Sequence, residues 1–247
     1  IAIGLTPAFK MKFWNIGAEG QILMGGMATA ALMIYAGDAM PNWLLLILIF
    51  IASATAGLIW GLIPAVFKAY FNTNETLFTL MLNYVAMQLV TFAIVFWENP
   101  SGSNTVGIIN AAGQKGWFPS VFGNMYGLNV IVVLVITLGM YVYMKYSKQG
   151  YEIAVVGESQ NTARYAGIDV KKVIIRTMMI SGAICGIAGA VIVSGASHTI
   201  STSTAGGRGF TAIIVAWMSK FNPLAMIRIP CIYAAGIDPG GIAVWSE

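Results

Sequence analysis

The polar side chains best suited to chemistry stand at the start of an apolar stretch. Asn15, Glu19 and Gln21 open the run WNIGAEGQILMGGMATAALMIYA, and Asn83 lies inside a later apolar run. Carboxylates and amides inside a membrane are costly, and they usually face a bundle interior or a water-filled cavity. These four residues could therefore hydrogen-bond a ligand in a pathway. Alternatively, Glu19 stays at the water interface and the amides bond only to neighbouring helices.

The run NTNETLFTLMLNYVAMQLV offers a second set of polar groups. Asn74 or Thr73 can cap its helix, and Glu75 in the first turn favours the positive end of the helix dipole. That capping role explains Glu75 without any substrate. Gln88 lies deeper in the run, as Asn83 does, and interhelical hydrogen bonding and pore lining explain these two amides equally well.

Signatures of enzymatic chemistry do not occur in the sequence. His198 has no carboxylate or cysteine at ligand spacing, so we expect no metal site, and Cys185 and Cys231 fit small packing residues. There is no G-x-x-x-x-G-K-[ST] motif and no nucleophile–base pair, so we expect neither ATP hydrolysis nor covalent catalysis by this chain. The segment 206–209, GGRG, could expose backbone N–H groups to an anion or simply form a flexible loop.

Composition places these residues in a membrane. The chain has 247 residues, 58% of them hydrophobic and only 9% charged, whereas soluble domains carry roughly a quarter charged residues. A helix needs about 20 mostly apolar residues to cross the hydrocarbon core. Five stretches satisfy this rule, which predicts an all-α polytopic bundle with about five full spans: 16–36, 43–67, 76–97, 128–146 and 173–197.

The pattern changes after the fifth predicted span. The sequence SHTISTSTAGGRGF is polar and Gly-rich, and the apolar piece 211–218 is too short to cross a membrane. This segment is either an outer loop followed by a short return helix or a broken helix that lines a pathway. The tail 227–247 is interrupted by Pro and Gly and is atypical, so no function is built on it.

A charged stretch, 145–176, separates the last two full spans and holds nine of the 22 charged residues. Ser159 can cap a helix over 160–166, Gly167 can take the left-handed position that ends it, and Asp169 can cap the next helix. A helix of about two turns is not stable alone in water. It must therefore pack on its own neighbouring helix ends or dock into a partner protein.

The basic residues predict an orientation. Placing 145–176 in the cytoplasm puts nine basic residues inside, including Lys10, Lys12 and Lys68, against Lys115 and Arg208 outside. Residues 1–14 then form a cytoplasmic lead-in to a single membrane domain that occupies the whole chain. The formal charge of +4 follows from this bias, and we expect no nucleic-acid partner.

Three stretches together resemble the permease subunits of ABC importers for nucleosides and simple sugars, relatives of the ribose and branched-chain amino-acid permeases. They are WNIGAEGQILMGG (14–26), NETLFTLMLNY (74–84) and GESQNTARYAGIDVKKV (157–173). The segment GRGFTAIIVAWMSKFNPLAM (207–226) also resembles the Gly-Phe segment of that family. The resemblance implies further spans before residue 1 and after residue 226, so the chain is expected to be part of a longer permease in a bacterial-type cytoplasmic membrane.

The resemblance also implies partners. In such importers a short cytoplasmic helix of the permease sits in a groove on the ATPase subunit. The residues that match this motif are Ser159, Ala163, Arg164, Tyr165 and Gly167. The implied assembly contains two ABC ATPase subunits that bind the ATP, a second permease subunit and an extracytoplasmic substrate-binding protein. The permease itself has no cofactor, and Asn15, Glu19, Gln21 and Asn83 are its candidate pathway residues.

Two other functions remain compatible with the sequence. A stand-alone secondary transporter would use Glu19 or Glu75 to couple proton binding to transport. A non-transporting membrane scaffold would use the apolar helices alone. The small number of intramembrane charges disfavours the first, and the polar residues of the first and third predicted spans disfavour the second.

Overall fold

The computed structural model describes residues 1–121, 123, 126–223 and 225–226, and all regular secondary structure in these ranges is helical. The α-helices are α1 (Ala2–Lys10), α2 (Ala18–Ala36), α3 (Asn42–Phe71), α4 (Glu75–Trp97), α5 (Gly127–Tyr146), α6 (Lys148–Glu158), α7 (Gln160–Tyr165), α8 (Val170–Ile192) and α9 (Arg208–Met218). The predicted all-α class is confirmed. The tail 227–247 lies outside the described residues.

Four of the predicted spans are helices long and apolar enough to cross a membrane, and all are within the described residues. They are α3, α4, α5 and α8 with its π-helical extension Val193–Ser197. The first predicted span, 16–36, forms α2, which begins at Ala18 and has 19 residues. Helix α2 carries Glu19 and Gln21 in its first turn, and most of its residues are buried, so it lies inside the bundle.

Glycines let three helices meet backbone to backbone at the centre. Gly57 of α3 faces Gly182 and Gly186 of α8 so closely that a side-chain carbon at any of them would collide with the opposite backbone. Gly25 of α2 presses against Gly186 in the same way. Close contacts between small residues are the usual means of packing helices in membranes. Gly25 therefore brings α2 into this central contact between helix backbones.

The basic residues gather at one end of the bundle. The ammonium of Lys68 lies 2.8 Å from the carboxylate of Glu75 across the α3–α4 turn. Lys12 and Gln160 line the same small space, which brings the chain before α2 and the start of α7 to this turn. Lys12, the α3–α4 turn and the start of α7 therefore lie at one end of the bundle, and the placement of this end in the cytoplasm stays a prediction. We call it the inner end.

The predicted lead-in, residues 1–14, is largely helical. Gly4 in α1 packs against Ile184 and Cys185, which lie in the second half of α8. The following residues of α1 up to Phe9 are buried, and Lys10 at its end is exposed. Helix α1 therefore runs along α8 and reaches the inner end only at its last residue.

The long connector after α4, described over residues 98–121, covers the opposite, outer end of the bundle. The side-chain amide of Asn110 donates to the backbone oxygen of Met33 at 2.7 Å, which ties the connector to the end of α2. The Asn42 side chain at the start of α3 accepts the backbone N–H of Gly116 at 2.8 Å. Trp117 stacks on His198, with ring centroids 3.7 Å apart. The connector thus joins three helix ends.

The segment after α8 runs from the outer end to the inner end of the bundle. Its first part, 198–207, is not helical, and its second part is α9. At the outer end, the backbone oxygen of His198 accepts the N–H of Ile109 at 2.8 Å. At the inner end, Trp217 stacks on Trp14 with centroids 5.2 Å apart. Helix α9 supplies only the inner half, since its 11 residues extend about 16 Å. This geometry favours the broken-helix alternative.

Candidate functional site at the start of α2

A tight turn shapes the chain before α2. The side-chain oxygen Oδ1 of Asn15 accepts the backbone N–H of Gly17 at 3.0 Å, and the side-chain amide nitrogen of Asn15 donates to Gln21 Oε1 at 3.4 Å. Asn15 is fully buried. The side chain therefore satisfies one of the free N–H groups at the start of α2.

Helix α4 binds the same turn through Asn83 and Thr79. Asn83 Oδ1 accepts the backbone N–H of Gly20 at 2.8 Å, and its amide donates to the backbone oxygen of Ile16 at 3.0 Å. The Thr79 hydroxyl oxygen accepts the N–H of Ile16 at 3.2 Å. Thr79 and Asn83 are four residues apart and so share a face of α4. This spacing was the sequence signal that could have added Thr79 to the candidate site.

Glu19 joins α2 to the first turn of α9. Its two carboxylate oxygens accept the backbone N–H groups of Gly207 and Gly209, each at 2.7 Å. Gly207 has a φ of 74°, and a side chain on Gly209 would lie 2.6 Å from Glu19 Oε2. The alternative in which the GGRG segment presents N–H groups to an anion is therefore confirmed, with the chain's own carboxylate as the anion.

The guanidinium of Arg208 donates to the backbone oxygen of Thr204 at 3.1 Å, and the outer side assigned to this residue by the charge pattern stays a prediction. Arg208 begins α9 within the bundle, beside Glu19. The reason is that the chain between His198 and Arg208 descends into the bundle before α9 starts. The side chain of Arg208 lines a groove of about 1010 Å³ between α1, α5 and α9, together with Asn129 and Thr211.

Trp60 of α3 completes the polar cluster. Its indole N–H has no hydrogen-bond partner among the described residues although the residue is 9% exposed. A side-chain carbon on Gly20 would lie 3.0 Å from both Trp60 Nε1 and Asn83 Oδ1. Gly20 therefore leaves the room that lets the Trp60 and Asn83 side chains come together.

The structure brings all four sequence-predicted pathway residues into one cluster. Asn15, Glu19, Gln21 and Asn83 are each at most 3% exposed. Most of their hydrogen bonds go to backbone groups of α2, the turn before it and α9. In this arrangement they join three helices, and their role in a pathway stays a prediction.

The two carboxylates of the proton-coupled alternative are both engaged. Glu75 pairs with Lys68 at 2.8 Å, and Glu19 accepts two backbone N–H groups. The cap of α4 comes from Asn74, whose side-chain oxygen accepts the N–H groups of Thr76 and Leu77. Within the described part of the chain, no group of three or more His, Cys, Asp or Glu residues is arranged to hold a metal ion.

The short helix α7 forms as its caps predicted. Ser159 Oγ accepts the N–H of Thr162 at 3.3 Å, and α7 ends at Tyr165, one residue earlier than predicted. Gly167 has a φ of 76°. Asp169 Oδ1 accepts the N–H of Lys172 at 3.3 Å at the start of α8, and this contact keeps the pKa of Asp169 below its ordinary value.

The two faces of α7 differ in exposure. Ala163 is fully buried against the neighbouring helix ends, whereas Arg164 is exposed and Tyr165 is 93% exposed. The helix thus packs on its own bundle through one side only. Tyr165 and Arg164 remain open on the inner end, where a partner could contact them.

Comparison with known proteins agrees with the motifs. A family model described as "Branched-chain amino acid transport system / permease component" matches residues 1–233. The guanosine ABC transporter permease protein NupP of Bacillus subtilis is 32% identical over 233 residues, which cover 93% of this chain and 66% of that protein. The nucleoside ABC transporter permease protein NupB of Lactococcus lactis is 27% identical, with coverages of 94% and 66%.

A third relative is named as a glucose permease. The glucose ABC transporter permease protein TsgB13 of Haloferax volcanii is 27% identical over 259 residues, covering 99% of this chain and 67% of that protein. The chain spans 66% of the length of NupP and of NupB. No solved structure gives a significant match. The chain therefore belongs to the permease component family of the branched-chain amino acid transport systems, and it is a multi-pass protein of the bacterial-type cytoplasmic membrane.

Proposed function

We propose that this chain is the membrane-spanning part of an ATP-driven ABC importer for nucleosides or simple sugars. The observation that carries the proposal is the family match over residues 1–233, joined to relatives named for guanosine, nucleosides and glucose. In this function the permease provides the pathway. ATP binding and hydrolysis belong to separate ATPase subunits, so the permease needs no cofactor of its own.

The short helix α7 is the proposed contact with the ATPase. Its exposed residues Arg164 and Tyr165 form the contact, and buried Ala163 anchors the helix to the bundle. Ser159 and Gly167 fix where the helix begins and ends. Force from an ATPase subunit would pass into α8 directly, because Asp169 starts that helix four residues after α7 ends.

Two further partners complete the proposed importer. A second permease subunit, identical or paralogous, shares the pathway, and an extracytoplasmic substrate-binding protein delivers the ligand to the outer end. The outer end offers a surface built from residues 98–121 of the connector, which are held on three helix ends by the contacts of Asn110, Asn42 and Trp117.

The polar cluster around α2 serves the pathway in this proposal. Hydrogen bonds of Asn15, Glu19, Gln21 and Asn83 hold α2, α4 and α9 together in this structure. These residues would contact a ligand only when these helices separate during transport. If uptake rate and selectivity are unchanged in both Asn83→Leu and Glu19→Gln, this role is excluded.

The first experiment is a mild-detergent pull-down of the tagged full-length permease with its ATPase. The test variant combines Arg164→Glu and Tyr165→Asp. A matched control combines Lys148→Glu and Tyr151→Asp on α6, because Lys148 and Tyr151 are also exposed at the inner end. We expect the wild type and the control to recover the ATPase and the test variant to lose it.

Uptake measurements separate this function from proton-coupled transport. We expect uptake of radiolabelled guanosine or glucose to stop on ATP depletion. A stably folded wild-type permease that recovers no ATPase, with uptake that survives ATP depletion and collapses with an uncoupler, would replace the importer by a secondary transporter.

A further inference from the structure

The structure separates two amides that the sequence leaves equivalent. Asn83 is buried and bonded to the turn before α2. Gln88 is exposed, and it has no hydrogen-bond partner among the described residues. The five-residue spacing turns Gln88 away from Asn83, since successive residues of a helix are rotated by about 100°. Gln88 points almost directly away from the buried stripe that contains Ala86 and Val90.

Gln88 lies near the middle of the span. It follows Glu75, the first residue of α4, by 13 residues, which correspond to about 20 Å along the 23-residue helix. An amide in hydrocarbon without a partner is strongly disfavoured. The outward face of α4 at this depth therefore meets something other than lipid tails.

Two more polar side chains share this face. Tyr84 and Thr91 lie four residues before and three residues after Gln88, so the three form one row along the helix. Tyr84 is 63% exposed and Thr91 is also exposed. Below the row, an open depression of about 410 Å³ continues along α4 toward Asn74, past Met81 and Leu77.

We propose that Tyr84, Gln88 and Thr91 form a ligand-contacting stripe of the translocation pathway. This inference rests on the importer function proposed above. The tyrosine ring can stack on a planar base or pack against a sugar ring. The amide can donate to and accept from ligand hydroxyls or base edges.

The stripe also selects a ligand class. No charged side chain occurs in α4 after Glu75. An amino-acid zwitterion would leave its ammonium and carboxylate without charged partners at this depth, which is costly. An uncharged ligand with many hydrogen-bond groups, such as a nucleoside or sugar, matches the row of ring, amide and hydroxyl.

Thiol accessibility tests the stripe without knowledge of the ligand. The full-length permease carries Cys185→Ala and Cys231→Ala, and Gln88→Cys is compared with Leu138→Cys. Leu138 is a matched control because it is 62% exposed within the span α5. The permease is reconstituted with its ATPase in membranes and treated with a charged, membrane-impermeant thiosulfonate. We expect the thiol of Gln88→Cys to react about tenfold faster or more, because the reactive thiolate forms only in contact with water.

Three results would overturn the proposal. The first is no reaction of Gln88→Cys, which means that the face is covered by lipid. The second is reaction at the same rate as Leu138→Cys. The third is a disulfide between two permease copies without reagent modification, which means that the face is a dry protein interface.

A second measurement tests contact with the ligand. With guanosine and glucose as probes, we expect Gln88→Leu to lower uptake of the transported probe by about three- to tenfold, the effect of one lost hydrogen bond. Leu138→Ala should leave uptake unchanged, and Gln88→Leu should still recover the ATPase. Normal uptake by Gln88→Leu would exclude ligand contact. The importer function itself has a separate test: uptake by the wild type that does not depend on ATP would exclude it, whatever Gln88→Leu does.

Discussion

The carboxylate of Glu19 accepts the backbone N–H of Gly209 at 2.7 Å, although the two residues are 190 positions apart. The other oxygen accepts the N–H of Gly207 at the same distance. The contact places a negative charge at the positive end of α9, where it is most stabilising. It also explains how a helix of 11 residues can begin inside the bundle with its first N–H groups satisfied.

Replacement of Glu19 should destabilise the permease strongly. Glu19→Ala removes two charge-assisted hydrogen bonds and leaves the buried N–H of Gly209 and the part-buried N–H of Gly207 without their acceptor, so we expect a loss of about 3 kcal/mol in the free energy of unfolding. Glu19→Gln keeps one acceptor oxygen and should cost less. The midpoint of thermal unfolding of the full-length protein in detergent measures both effects.

Asp38→Asn is the control for this prediction, because Asp38 is an exposed carboxylate just after the other end of α2. It should leave the unfolding midpoint unchanged. Equal midpoints for Glu19→Ala and Asp38→Asn would mean that the Glu19 contact does not hold α9 in place.

The sequence predicted local features well because local physics sets them. Ser159, Gly167 and Asp169 determine where α7 begins, where it ends and where α8 begins, and each acts within three residues of its own position. The distant partner of Glu19 has no such local signature. The sequence predicted only that the Gly-rich segment 206–209 could bind an anion, and it did not identify Glu19 as that anion.

The sequence also did not predict which face of each span is buried in the bundle. Helices that are apolar on every side have no polar face to mark the outside, so Asn83 and Gln88 looked alike. The buried face of α4 contains Thr79, Asn83, Ala86 and Val90. What distinguishes this face from the one that carries Gln88 is contact with α2 and the turn before it. Those contacts are long-range, and they exist only once the bundle has formed.

Contact between α3 and α8 predicts a sharp difference between two glycine substitutions. Gly57→Ala places a carbon in collision with the backbone of Gly182, so it should force the helices apart and lower stability by about 2 kcal/mol or more. Gly139→Ala meets nothing within 4 Å and should be neutral or slightly stabilising, since alanine favours a helix. Unfolding midpoints of the two variants in detergent test this, and a neutral Gly57→Ala would contradict the packing.

Helix α4 offers a matched pair at its start. Asn74→Ala removes the side chain that accepts the N–H groups of Thr76 and Leu77, and we expect a loss of about 1 kcal/mol. The hydroxyl of Thr73 is buried without a partner among the described residues, so Thr73→Val should cost little or stabilise. Hydrogen exchange at the first turn of α4 should accelerate only in Asn74→Ala. Equal exchange rates in Asn74→Ala and Thr73→Val would mean that the Asn74 side chain does not cap α4.

His198 predicts a pH dependence at the outer end. Its ring stacks on Trp117 at an interplanar angle of 11° and is 7% exposed, and neither ring nitrogen has a partner among the described residues. Burial lowers the pKa of His198 below its ordinary value of 6.5. The unfolded chain therefore binds the proton more readily than the folded one, so stability is complete above pH 6.5 and declines as the pH falls through the lowered pKa.

The measurement compares unfolding midpoints between pH 7.5 and pH 5 for the wild type and His198→Phe. Phenylalanine keeps an aromatic ring against Trp117 and cannot be protonated, so the variant should lose part of the acid sensitivity of the wild type. Trp117→Leu removes the stacking partner and should lower the midpoint at both pH values. An unchanged pH response in His198→Phe would show that the acid sensitivity comes from other groups, because no other change in charge accompanies that substitution.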